Sequence, residues 1–290
     1  MLKDSIEYLI KIAINPPYSN NLLAARQEYR KYAGDVFDDD KSYENQMALF
    51  LEWFIFDRID PAQDQTVLEL IIDNGKGPSL DLLKNINIFI SHIHGLFIIK
   101  KIKDHSLKAI NLFDNEKYDV VEPSGKLYFS KNSIFEGRLL SCENSYYFTG
   151  NFCFHPEGSN KFIKSKIKKI LSLQKINIKE LKLQNLKLKN ENKKLNKTIS
   201  SIEKLQEKIQ RLNSEEKIFK IKNDLSELES IKEKHEENYS SIKQNINIFI
   251  HEKIIHENQL NQTRLMLKLS SMRLLLERSR NIELKNIYKN

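Results

Sequence analysis

The feature that most limits how this chain can fold is where its helix-interrupting residues lie. All eight glycines occur at or before Gly158, and all six prolines occur at or before Pro156. At an interior helical position, glycine and proline cost about 1 and 3 kcal/mol relative to alanine. The last 132 residues contain neither residue. We therefore predict continuous helix from near Asn160 onward, preceded by a separately folded domain.

The sign of the charge changes at the same place. Residues 159–290 hold 30 Lys and Arg against 16 Asp and Glu, whereas residues 1–158 hold 17 against 23. The tail therefore carries a net charge of +14 and the preceding residues −6, within an overall charge of +8. We divide the chain into an acidic globular domain, 1–158, and a basic helical tail, 159–290.

The N-terminal half contains both helical and strand periodicity. Thr66 with Glu69 three residues later forms a capping-box pattern, and from Gly95 the apolar residues alternate as in strands. Helical patterns cover 2–14, 19–33, 43–58, 66–73 and 80–92. The predicted strands are Leu96–Lys103, Leu107–Phe113, Tyr118–Glu122, Lys126–Phe129, Phe135–Cys142 and Tyr146–Phe154. The predicted fold class is an α+β N-terminal domain, with helices followed by a small antiparallel β-barrel or curled sheet, plus a long C-terminal α-helical coiled coil.

The tail has a seven-residue apolar repeat that is typical of a coiled coil. The predicted coiled-coil core consists of Leu181, Leu188, Leu195, Ile202, Leu205, Ile209 and Leu212. The d positions before Leu205 are polar, namely Gln184, Glu191 and Thr198. A second phase starts at Ile218 and has His235 at one of its d positions, so the repeat breaks near 213–217.

The phase break is compatible with two arrangements of the tail. Asn213 and Ser214 favour helix caps and Glu215 suits a first turn, so the helix either turns back on itself as a hairpin or continues as a rod with a local discontinuity. A hairpin pairs within one chain, whereas a rod pairs with another chain. We favour the parallel dimer over the hairpin. The expected partner of the coiled coil is a second copy or another protein.

Lysine is concentrated in the first part of the tail, where residues 161–197 contain only two acidic residues, Glu180 and Glu191. The thirteen lysines are Lys161, Lys164, Lys166, Lys168, Lys169, Lys175, Lys179, Lys182, Lys187, Lys189, Lys193, Lys194 and Lys197. Such a row attracts polyanions through counterion release, which makes accessory nucleic-acid binding the alternative function. Arginine is absent and Phe162 is the one aromatic residue, so bidentate and stacking contacts are scarce. A solvated helix face and an anionic lipid surface are the other interpretations.

The ionisable residues of the N-terminal half form no recognisable catalytic set. Glu52 interrupts the most apolar run of the chain, which is typical of a buried central helix. The pair His92 and His94, with His105 further on, does not define a metal site. We therefore assign no catalytic residue, no metal ligand and no cofactor. An unrecognised enzyme that uses Glu52, Asp57 or the histidines is a third hypothesis.

Other sequence features restrict the class of protein. Two cysteines do not make a disulfide framework, and no apolar run reaches the roughly 18 residues that a membrane span needs. The first residues lack the apolar region of a signal peptide, so we expect a cytoplasmic location. The predicted function is a non-enzymatic coiled-coil interaction or scaffold protein, with the N-terminal domain as its protein-binding module.

Overall fold

The computed structural model describes residues 2–74, 88–122, 128–142, 144–279 and 281–289. The chain forms two compact units. The first unit comprises Met1–Lys169 together with Gln262–Asn290, and the second unit comprises Ile170–Asn261. The fold is mostly helical, with a closed barrel of five strands in the first unit and two long helices. No described helix is both long and apolar enough to cross a membrane.

In the described part of the first unit, four helices of at least eight residues precede the barrel. They are α1 (Leu2–Ala13), α2 (Leu22–Ala33), α3 (Tyr43–Phe56) and α4 (Val67–Asn74), with a 3-10 turn at Tyr18–Asn21. Helix α3 is the central one, because Phe54 and Ile55 are fully buried in the helical core. At the start of α4, Thr66 N donates to Glu69 Oε2 at 2.7 Å and Glu69 N donates to Thr66 Oγ1 at 3.2 Å, which is a capping box. Most of the predicted 80–92 helix lies outside the described residues.

The described residues of the first unit form eight strands. They are β1 (Ile59–Asp60), β2 (Gln65–Thr66), β3 (Ile93–Ile102), β4 (Ser106–Asn111), β5 (Lys117–Val121), β6 (Ile134–Cys142), β7 (Ser145–Phe148) and β8 (Cys153–His155). The barrel strands follow the order β3-β4-β5-β7-β6, and pairing of β3 with β6 closes the barrel. All its pairings are antiparallel except β5 with β7, which is parallel.

Two predicted strands differ from what the structure shows. The expected strand Lys126–Phe129 begins outside the described residues, and neither Tyr128 nor Phe129 lies in a strand. The expected strand Tyr146–Phe154 is divided into β7 and β8. The physical reason is Gly150, whose φ of +103° is a conformation that side-chain-bearing residues rarely adopt.

Strand β6 is buried on both faces from Ile134 to Leu140. One face points into the barrel, where Phe135 packs with Phe97 and Phe148 at ring-centroid distances of 6.0 and 5.4 Å. Successive side chains of a strand point to opposite faces. The other face therefore lies outside the barrel, and its Leu140 belongs to the helical core.

The end of the chain returns to the first unit through α7 (Glu257–Arg278), which is followed by the short α8 (Leu284–Ile287). Leu267 is part of the helical core, and Ser270 Oγ donates to Gln46 Oε1 at 2.9 Å. Arg278 Nε donates to Asp40 Oδ1 at 2.7 Å. The sequence-based division assigned residues 159–290 to the tail. The structure instead places Gln262–Asn290 in the first unit, because the apolar face of α7 is buried there.

The second unit is an antiparallel helical hairpin. It contains residues 170–210 of α5 (Asn160–Gln210), α6 (Glu215–Phe249), the π-helix Ile250–His256 and the first residues of α7. His235 Nδ1 lies 2.5 Å from Glu191 Oε1, Asn177 Nδ2 donates to the Lys253 carbonyl at 3.3 Å, and Gln174 pairs with Asn258. The later a residue lies in α5, the earlier its partner lies in the following helices. The helices thus pair within the chain, which is the hairpin of the two arrangements considered from the sequence.

Candidate functional site

The lysines predicted to bind polyanions lie along α5. All thirteen are exposed except Lys166, which is half-buried with its Nζ 5.1 Å from the centre of the Phe162 ring. In the second unit, Lys194 Nζ is 3.2 Å from Glu191 Oε2. Because their charged ends face water, these lysines form a surface and not a closed site.

The seven predicted core residues of the tail share the less exposed side of α5. Ile202 is buried, whereas Leu181, Leu188, Leu195, Leu205, Ile209 and Leu212 are half-buried. The polar d positions behave in the same way, because Gln184 and Thr198 are half-buried and Glu191 is 8% exposed. Reduced exposure therefore recurs with the spacing of the a and d positions, which is the spacing of a helix-pairing seam.

Two polar residues of the seam pair with each other across the hairpin. Glu191 and His235 occupy d positions of the two phases, and their side chains meet across the hairpin at 2.5 Å. The hydrogen bond from His235, helped by Lys194, lowers the pKa of Glu191 from its ordinary value. A polar pair within an apolar seam favours one register of the two helices over others.

A buried charge network lies in the first unit and consists of Glu52, Asp57, His94, Glu136 and Arg138. Glu52 is on α3 and Asp57 follows its last residue, whereas His94 is on β3 and the other two are on β6. In the β3–β6 ladder His94 lies opposite Arg138. Glu136 and Arg138 are two residues apart, so both project from the outer face of the barrel.

Arg138 is the centre of this network. Its Nη1 and Nη2 donate to Asp57 Oδ1 and Oδ2 at 3.2 and 2.5 Å, and its Nε lies 3.4 Å from Glu52 Oε2. The guanidinium carbon is 4.7 Å from the centre of the Phe56 ring. Asn151 Nδ2 donates to Glu52 Oε1 at 2.8 Å. The Arg138 side chain is only 1% exposed, so these contacts replace its hydration.

His94 connects two carboxylates of the network. Its Nδ1 is 3.1 Å from Asp57 Oδ2 and its Nε2 is 3.0 Å from Glu136 Oε1. Both ring nitrogens face acceptors, and only the protonated imidazole donates from both. His92 Nε2 lies 3.7 Å from Asp57 Oδ1. The second oxygen of Glu136, Oε2, is buried and has no hydrogen-bond partner among the residues that the structure describes.

The charges of the network shift the pKa values of its members. Burial alone would raise the pKa of Asp57, but the Arg138 charge and His94 hold it well below its ordinary value. Burial alone would lower the pKa of His94, but the Asp57 carboxylate raises it to about 9. Burial, together with the charge of Glu136, raises the pKa of the nearby Cys153 thiol to about 12. At neutral pH His94 is therefore a cation, and Cys153 is a thiol and not a nucleophilic thiolate.

This arrangement ties the end of α3 to strands β3 and β6 of the barrel. The structure brings together Glu52, Asp57, His92 and His94, four of the residues in the enzyme hypothesis, whereas His105 is exposed in the turn after β3. The charged groups of this cluster form hydrogen bonds and ion pairs with one another. No group of three or more His, Cys, Asp or Glu in the described part of the chain is arranged to hold a metal ion.

Reasoning from the sequence missed Glu136, Arg138 and Asn151. A signal for the first two was present, because two charged residues interrupt the strand Phe135–Cys142, which is otherwise mostly apolar. Charged residues are rarely buried unless they are paired. Their partners lie far away in the chain, so the pattern indicates a buried pair without identifying the other half.

A protein-family model matches part of the chain. Residues 23–187 match a family model described as a family of unknown function (DUF7986). The match covers more than half of the chain, including all five residues of the buried charge network, and ends within α5. No curated protein and no solved structure matches the chain.

Proposed function

The chain belongs to the family of unknown function DUF7986, and from that premise we propose that it is a non-enzymatic interaction protein whose hairpin is an antiparallel coiled coil. One observation carries this proposal, namely that the a and d residues from Leu181 to Leu212 are all buried or half-buried, whereas every position between them except Ile199 and Ser200 is exposed. The contact between Glu191 and His235 across the hairpin supports the same pairing. The coiled coil supplies an arm for association.

The first unit serves as the protein-binding module in this proposal. The buried charge network supports it, because a rigid platform suits binding better than a mobile one. The exposed Leu23, with 71% of its surface accessible, is an apolar contact point on α2.

A charge placed in the seam tests the coiled-coil arm. Ile202 is buried at an a position, whereas the adjacent Ser201 is exposed. We expect Ile202→Asp to lower the helical circular dichroism and the melting temperature of the full-length protein, because the carboxylate cannot be solvated in the seam. Ser201→Asp adds the same charge outside the seam and should leave both unchanged. Equal effects of the two substitutions would reject the seam.

The alternative proposal is accessory nucleic-acid binding through the Lys-rich stem 161–197. The exposure of its lysines supports it, although the stem lacks the arginines and stacking aromatics that strengthen such binding. Fluorescence anisotropy of labelled DNA and RNA with the full-length protein tests this proposal. Binding through several lysines must weaken steeply as the salt concentration rises. If neither DNA nor RNA binds at near-physiological salt, the nucleic-acid proposal is rejected.

A further inference from the structure

An exposed apolar surface lies on α5 within the second unit. Its residues are Leu173, Ile176, Leu183 and Leu186, which are 50, 59, 60 and 54% exposed. At 100° per residue these side chains fall within an arc of about 140°, beside the seam and not in it. Contiguous apolar surface in water is typical of an interaction site.

Exposed lysines are interleaved with these apolar side chains. They are Lys175, Lys179, Lys182, Lys187 and Lys189. Glu180 is the only acidic residue between positions 173 and 189. The four apolar residues and these lysines form what we call the apolar–basic strip, which extends for about 20 Å between Leu173 and Leu186 at a rise of 1.5 Å per residue. Its partner must satisfy exposed hydrocarbon and positive charge together.

Two partners satisfy only half of this requirement. A second copy that packed through the same strip would bring like charges together, and the repulsion opposes the apolar contact. A nucleic acid would neutralise the lysines but leave the four apolar side chains in water, and the strip has no aromatic residue on which a base could stack.

We propose that the apolar–basic strip binds the surface of an anionic phospholipid bilayer. Leu and Ile side chains of such a helix enter the boundary between headgroups and acyl chains, and the lysine stems extend to the anionic headgroups. Anionic lipids attract clusters of lysine next to the membrane. This inference rests on the proposed function and names the partner of the hairpin. The protein lies on the membrane surface, which needs no membrane-spanning helix.

Co-sedimentation of the full-length protein with vesicles tests this proposal. One set of vesicles is phosphatidylcholine alone, and the other contains roughly a third phosphatidylserine, enough to give the negative surface that attracts basic segments. We expect binding to the anionic vesicles, at least about tenfold weaker binding to the neutral ones, and loss of binding at high salt. Equal binding to both kinds of vesicle, or binding to neither, would overturn the proposal.

Two sets of substitutions separate the apolar and the basic contributions. We expect Ile176→Gln with Leu183→Gln to reduce binding to anionic vesicles about tenfold or more, since buried hydrocarbon strengthens attachment. The matched control is Phe219→Gln with Ile248→Gln, at exposed apolar positions of α6, and should bind as the wild type does. If the control pair loses as much binding, the strip is not the binding surface.

The charge variant is Lys175→Gln, Lys179→Gln and Lys182→Gln. Its matched control removes the same charge from α6 with Lys217→Gln, Lys220→Gln and Lys222→Gln, all at exposed positions. Only the α5 set should release the protein from anionic vesicles. Circular dichroism checks that both sets keep their helices.

The same variants distinguish a membrane from a nucleic acid. The lipid proposal fails if the protein binds labelled DNA but does not bind anionic vesicles, and if Ile176→Gln with Leu183→Gln leaves the DNA binding unchanged. In that case the strip is a polyanion-binding surface. Such a failure leaves the coiled-coil proposal intact, because the Ile202→Asp test requires no lipid. Conversely, if the hairpin has no coiled-coil seam, Ile202→Asp and Ser201→Asp will have equal effects, whatever the vesicle experiments show.

Discussion

The two units bury charge in different ways. In the first unit Asp57, His94 and Arg138 each contact two charged partners, and their side chains are 14, 12 and 1% exposed. In the second unit Glu191 and His235 meet at a seam of half-buried residues, with side chains that are 10 and 21% exposed. Of these five side chains His235 is the most exposed and Arg138 the least, whereas Glu191 is about as buried as Asp57 and His94. The network should therefore be costly to disrupt, and the hairpin pair should mainly set the register.

The largest expected effect is that of Arg138→Met. Removing this cation leaves Asp57 and Glu52 buried without their counter-charge, and breaking a buried pair in this way typically costs about 3–5 kcal/mol. Urea denaturation of the full-length protein measures the free energy of unfolding. The control is Lys108→Met, which breaks an exposed pair with Asp119 at 3.3 Å and should cost less than about 1 kcal/mol. Similar losses in the two variants would contradict the difference between buried and exposed pairs.

A second effect is a dependence of stability on pH that comes from His94. Its pKa in the folded protein is about 9, above the ordinary value of 6.5. The stabilisation is therefore fully present below about pH 6.5 and is lost as the pH rises through about 9. We expect His94→Gln to remove much of the decline in unfolding free energy across this range. His105→Gln, at an exposed position, should retain the wild-type decline.

Asp57 makes stability depend on pH in the opposite direction. Measurement of the unfolding free energy at low pH detects this contribution. Its folded-state pKa lies well below the ordinary value of 3.8. The stabilisation from Asp57 is present above that ordinary value and is lost as the pH falls through the folded pKa. Asp57→Asn should therefore flatten the acidic side of the profile, while the alkaline decline should be weakened because His94 loses its counter-charge. An unchanged profile would argue against the network.

The smallest effect concerns the hairpin pair. Glu191→Leu alone should lower the melting temperature of the helical signal, because His235 loses its partner in the seam. Glu191→Leu together with His235→Leu should restore or exceed the wild-type melting temperature, since apolar residues replace a partly buried pair at little cost. A double variant less stable than the single one would show that the pair contributes more than register.

Local structure could be predicted where the sequence carries a local signal. The helix bounds of α3, the capping box at Thr66 and the position of β6 all follow from short-range patterns. The helix ends at Gln210 and resumes at Glu215, beside the phase break expected near 213–217. These features depend on residues within one or two helical turns of each other.

Features that depend on distant residues could not be predicted. Arg138 and Asp57 lie 81 positions apart, and nothing near either of them identifies the other. The same polar d positions suit a hairpin and a dimer, so heptad spacing alone does not distinguish the two. The return of α7 to the first unit could not be predicted either, because no local signal marks it. The helix from Glu215 to Arg278 contains no glycine or proline to mark where one unit ends and the other begins.

Disulfide trapping at residues 191 and 235 tests the intrachain hairpin most directly. Cys142 is replaced by serine, whereas the buried Cys153, with a pKa of about 12, is left because it stays a thiol. We predict that Glu191→Cys with His235→Cys forms a disulfide within one chain on mild oxidation, so the protein runs as a monomer on a non-reducing gel. Glu191→Cys alone should also stay monomeric. A covalent dimer from this single variant would place residue 191 against its copy, as in the parallel dimer, and would contradict the hairpin.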